Sequence, residues 1–112
     1  MKPDDLVRIR HMIESGESAL RFVAGCQRGD LDSNEMLRFA LVRAIEIIGE
    51  AASKVSLDFR AETPAIPWRS IITMRNRLVH AYFDIDLDFT WKTVTEDIPD
   101  LLPLLRPHLP TD

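Results

Sequence analysis

Four side chains between positions 75 and 82 are of types that could do chemistry together: Arg75, Asn76, His80 and Tyr82. Histidine, with an ordinary pKa of about 6.5, can take or give a proton near neutrality. Arginine stays charged and grips phosphate-like oxygens through two parallel N–H groups. The combination suits proton transfer beside a bound anion.

Their helical spacing sharpens the point. At about 100° per residue, Trp68, Ile71, Ile72, Leu78, Val79 and Phe83 fill one broad arc. Arg75 falls in the middle of that arc and Tyr82 beside it, while Asn76 and His80 are i,i+4 neighbours at its edge with Arg69 close in angle. Arg77 points away, toward solvent. An arginine on an apolar stripe must find an anion or stay wet. Glu50 or Glu46 of the preceding helix could supply the anion. The same residues also fit a purely structural role: an ion pair for Arg75, a satisfied histidine at a seam, and a tyrosine whose hydroxyl reaches the rim. Spacing alone leaves both roles open.

The elements that must hold these residues are helical. From Pro3 to Ala24, Leu6, Ile9, Met12, Ile13, Gly16, Leu20 and Val23 share a face, which predicts an amphipathic helix with a proline early in it. Residues 25–32 read as a loop, with Asp32 or Ser33 capping the next helix. That helix is expected over about Asn34 to Val55, with an apolar arc running from Met36 to Val55. Its charged side carries a well-oriented Glu50–Lys54 i,i+4 pair. Residues 56–67 are a connector with a short turn at its start, and Pro67 suits the first turn of a helix over Trp68 to Phe83. After an acidic break at 83–88, a fourth helix from Leu87 to Arg106 buries Trp91, Val94, Ile98, Leu101, Leu102 and Leu105. Pro99 and Pro103 should kink or shorten it. No segment alternates like a strand. The expectation is an all-α antiparallel four-helix bundle forming one domain over 1–112, with a frayed tail from about residue 107.

Composition narrows the function classes. The chain has 112 residues and a formal charge of −4. This balance argues against a large non-specific nucleic-acid surface but leaves room for a small focused basic site. A single cysteine, Cys26, excludes an intramolecular disulfide and a cysteine zinc cage. His11, His80 and His108 lack ligand spacing, so no metal is expected. The glycine pattern of nucleotide-binding loops is absent, and no cofactor is expected. No apolar run reaches membrane-span length, and the charged start does not read as a signal peptide, so the expected location is cytoplasmic.

The segment MetArgAsnArgLeuValHisAlaTyrPhe, 74–83, resembles the R-x4-H-x-Y motif of HEPN-domain proteins of the HepT toxin family. Arg75, His80 and Tyr82 are its motif residues, and Asn76 matches the polar residue after the motif arginine. Residues 46–52, 66–68 and 97–105 resemble that family's second helix, the approach to its motif helix and its last helix, in the right order. The resemblance implies the toxin of a two-gene system whose antitoxin, MntA, is a minimal nucleotidyltransferase. It implies a metal-independent ribonuclease with an active site shared across a homodimer. Arg75, Asn76 and His80 would then be catalytic and Tyr82 the residue that the antitoxin silences with AMP; Glu50, as a partner for Arg75, and Arg69, close in angle, are the expected supporting residues. RNA would be the substrate. The rival reading is a non-catalytic HEPN module that binds a nucleotide or a partner through the same residues.

Overall fold

The computed structural model describes residues 1–78 and 84–110. Among the described residues every regular element is helical: α1 (Pro3–Val23), α2 (Asp30–Ser33), α3 (Glu35–Ser53), α4 (Leu57–Glu62), α5 (Trp68–Thr73), α6 (Arg75–Leu78), α7 (Leu87–Lys92) and α8 (Ile98–Leu105). A π turn, Thr93–Asp97, joins α7 to α8, and a 3₁₀ turn, Arg106–His108, follows. None of the described helices is long and apolar enough to cross a membrane.

The two long helices are antiparallel because the start of α1 is clasped to the end of α3. Asp5 is buried, and its carboxylate accepts from the Ser56 backbone N–H at 2.8 Å and the Ser56 hydroxyl at 2.7 Å. The Lys2 backbone N–H adds a third bond at 3.2 Å. Burial alone would raise the Asp5 pKa, but the Ser56 and Lys2 hydrogen bonds, with the Lys2 charge, outweigh it and hold the carboxyl below its ordinary value. Ser56 also caps α4 by accepting from Phe59 N–H.

Gly16 sets the packing of α8 across α1: a Cβ there would lie 3.0 Å from Leu102 Cδ2 and 3.2 Å from Ile98 Cγ2. The core is filled by Ile9, Met12 and Ile13 of α1, Leu41, Ile45 and Ile48 of α3, Ile71 and Leu78 of the third stripe, and Val94, Ile98, Leu102 and Leu105 of the last. Burying such side chains is the main favourable term in folding.

Several boundaries differ from the expected ones. Asp32 and Ser33 lie inside α2, so the first extended residue, Asn34, caps α3 by accepting from Leu37 N–H at 3.0 Å. Met36, expected in the apolar arc, is 83% exposed, because it sits on the first turn of α3, outside the stripe Leu37–Leu41–Ile45–Ile48 that meets the core. The third helix is not continuous: it turns at Met74 and restarts at Arg75. Pro67 precedes α5 as its cap and is not within its first turn. The fourth helix is interrupted by the π turn, and Pro99 follows directly as the second residue of α8. A proline lacks the N–H and crowds the preceding turn, so wider i→i−5 pairing just before it is a local accommodation. The 3₁₀ turn carries the chain past residue 107, and the His108 ring stands edge-on to Phe59 at 5.1 Å between centroids.

Candidate active site

The approach to the motif is built by the connector. Thr63 donates its hydroxyl to the Phe59 carbonyl at 2.7 Å and accepts from Trp68 Nε1 at 3.0 Å. Phe59 and Trp68 then meet edge to face, 6.1 Å between centroids. This polar and aromatic anchor fixes where α5 begins. Gly49 lets α5 lie close on α3, since a Cβ there would stand 3.3 Å from the Ile71 carbonyl oxygen. Glu50, next in sequence, therefore lies on the helix that packs against the motif segment. It pairs with Lys54 at 3.2 Å, as expected.

Arg75 is the first residue of α6, and α6 packs on α3. Asn76 is exposed, and so is Arg69, seven residues earlier. His80 and Tyr82 lie outside the described residues. The residues flanking them are held together: the Asp86 backbone N–H donates to the Leu78 carbonyl at 2.6 Å. Asp86 also caps α7, its carboxylate accepting from Phe89 N–H at 2.9 Å. The acidic break thus contains a capping residue that starts the last helix and ties it back to the end of the motif helix. Arg77, expected to point to solvent, is exposed but has a partner: its guanidinium carbon lies 4.3 Å from the centroid of the Phe89 ring.

A groove of about 190 Å³ opens between α1 and α3, lined by Arg8, His11, Arg43, Ile47, Glu50 and Ala51. Sequence reasoning missed Arg8, His11 and Arg43 as site residues. They lie off the apolar stripes of two different helices, so each reads locally as part of a solvated face. The fold gathers them beside Glu50 as a focused basic patch on a chain of net charge −4. The two guanidinium groups so placed can hold phosphate oxygens. Among the described residues no group of three or more His, Cys, Asp and Glu side chains could hold a metal ion.

Comparison with known proteins places this arrangement in a family. Residues 12–107 match the family described as "Ribonuclease HepT-like". A Methanocaldococcus jannaschii protein named as an RNase is 39% identical over 90 residues, covering 80% of this chain and 83% of that protein. A Thermococcus cleftensis protein named "Probable ribonuclease HepT" is 49% identical over 72 residues, 64% of this chain and 66% of that one. A Caldanaerobacter subterraneus protein named as an RNase is 33% identical over 93 residues, with 83% of each chain covered. No solved structure matches. The match spans α3, the anchored connector, the whole 75–82 motif and α8, and on that ground the chain belongs to the ribonuclease HepT-like family.

Proposed function

We propose that this chain is an endoribonuclease toxin that cuts RNA without a metal, at a site shared by two copies. The observation that carries this reading is the intact Arg75, Asn76, His80, Tyr82 spacing inside the stretch matching the family. The 2′-hydroxyl of RNA attacks the neighbouring phosphorus, forming the O2′–P bond as the P–O5′ bond breaks. One proton leaves the 2′-oxygen and one reaches the 5′-oxygen. A single His80 supplies one of those transfers, and a second copy supplies the other. Arg75 stabilises the charge that builds on the phosphate oxygens. Arg75 and His80 stand about 140° apart around an ideal helix, so convergence of two motif helices at a two-fold axis assembles the site better than one helix can. The basic groove of Arg8, His11 and Arg43 supports RNA as the ligand. Silencing follows from AMP transfer to Tyr82 by an MntA-like nucleotidyltransferase, which places a phosphodiester and a base where the substrate would lie.

The test is cleavage of RNA by purified protein in a chelator, for the natural chain and for His80→Ala. The natural chain should cut, and the variant should lose about 10²–10⁴ in rate while keeping its helical circular dichroism. Undiminished cleavage by folded His80→Ala, or dependence on a divalent metal, overturns the mechanism. Sedimentation should give a dimer.

A further inference from the structure

A larger cavity, about 370 Å³, opens between α5–α6 and the α7–α8 arm. This volume is within the usual range for small-ligand sites, about 300–1,000 Å³. Its floor is apolar, with Ile71 and Met74 prominent. The Arg77–Phe89 stack forms part of its wall, and Asp97 and Asp100 bring carboxylates to it. Asp97 is paired with Lys92 at 3.1 Å, whereas Asp100 is exposed and has no hydrogen-bond or ion-pair partner among the described residues. Thr93, in the same wall, is 1% exposed, and its hydroxyl has no hydrogen-bond partner among the described residues.

The chemistry of the lining selects among occupants. Two carboxylates over an apolar floor repel a phosphate. An aromatic ring with a guanidinium stacked on it is a platform on which an unstacked RNA base sits well. A carboxylate at the edge accepts from a base's N–H groups. The position fits as well. Met74 and Arg77, on the pocket side, flank the motif residues Arg75 and Asn76 in sequence, and the exposed residues Arg69, Thr73 and Asn76 lie beside them. A strand crossing that exposed surface would bring a neighbouring nucleotide to the pocket.

We infer that this pocket receives one unstacked base of the RNA next to the cleaved bond, stacked on the Arg77–Phe89 pair and read along its amino edge by Asp100. The inference rests on the ribonuclease reading above. Guanine is the best match, because its N1–H and N2–H₂ present two parallel donors to one carboxylate. Adenine and cytosine offer a single amino group. Uracil is worst, because its lone N3–H is flanked by two carbonyl oxygens that repel the carboxylate.

The experiment uses uridine hexamers carrying 2′-O-methyl groups, which cannot be cut, with one position at a time changed to G, A, C or an abasic residue. Binding to the full chain is read by fluorescence anisotropy. At one position guanine should bind about tenfold tighter than uracil. Asp100→Ala should erase that preference. Leu104→Trp, which fills the pocket from its rim, should bring every base to the abasic level. Circular dichroism and melting confirm that both variants fold. Equal affinity for all four bases in the natural chain, or a preference untouched in both variants, overturns the inference and leaves the cavity to a protein side chain. The same hexamers with 2′-hydroxyls separate the two readings. Cleavage without base preference defeats the pocket and keeps the ribonuclease. Selective binding lost in Asp100→Ala, with no cleavage of any hexamer, defeats the ribonuclease and keeps the pocket.

Discussion

The backbone N–H of Asp86 donates to the carbonyl of Leu78 at 2.6 Å, closing the stretch that carries His80 and Tyr82. The Asp86 side chain meanwhile caps α7 through Phe89 N–H. One residue therefore joins the motif helix to the last arm of the bundle. Asp86→Ala removes the cap and keeps the backbone tie, so it should cost about 1 kcal/mol, the usual worth of an N-cap, and should lower RNA cleavage no more than the stability loss explains. Chemical denaturation and cleavage rates on the same samples check both parts.

The Asp5–Ser56 clasp makes a pH prediction. The carboxyl's pKa is lowered in the folded chain, so its contribution is full above the unfolded value, about 3.9. It is lost as pH falls through the lower folded value. Asp5→Asn should cost about 2 kcal/mol at neutral pH, in the range for hydrogen bonds to a charged group. It should also flatten the acid limb of the stability curve. Urea melts from pH 3 to 7 measure it; an unchanged acid limb in the variant would show that the clasp does not drive the dependence.

Gly49 separates stability from activity. Alanine there gains about 1 kcal/mol of helix propensity but meets the Ile71 carbonyl at 3.3 Å. The two effects should nearly cancel in the melting temperature. The motif helix moves outward by a few tenths of an ångström, and RNA cleavage should fall about tenfold, as misplaced catalytic groups do. Gly49→Val, with a smaller propensity gain and more bulk, should lower the melting temperature as well.

Tyr82 is the sole tyrosine, which makes modification simple to read. Incubated with an MntA-like nucleotidyltransferase and ATP, the chain should gain AMP-sized mass and lose cleavage activity, and Tyr82→Phe should do neither. Additions on Tyr82→Phe, or full inhibition by the transferase without ATP, would point to neutralisation by complex formation.

The apolar stripes of α1 and α3 were legible because each is long and its period is unambiguous; Ile9, Met12, Leu41 and Ile48 are buried as their spacing requires. The motif was legible only through its resemblance to the R-x4-H-x-Y pattern, because Arg75 on an apolar stripe also fits a structural ion pair. What was not legible depends on partners distant in sequence. Asp5 reads as an ordinary acid in a first helical turn, and its partner lies 51 residues away. Arg8, His11 and Arg43 become neighbours only when α1 and α3 pack. The turn at Met74 has no glycine or proline to announce it. Cys26, half-buried, has only a weak bond to the Phe22 carbonyl and no role in the site.

The π turn at Thr93–Asp97 has a consequence for chain length. Ile98 N–H bonds to the Thr93 carbonyl, five residues back, so this arm holds one residue more than regular α pairing would. The wide turn absorbs that residue locally, so Ile98, Leu101, Leu102 and Leu105 keep their phase toward Gly16. In plain α-helix the same residue would swing everything after it by about 100°. Deleting one residue from 93–97 should therefore restore plain helix with the stripe still facing Gly16, whereas a further insertion would rotate it away. Single-residue losses here should be far commoner among relatives than gains.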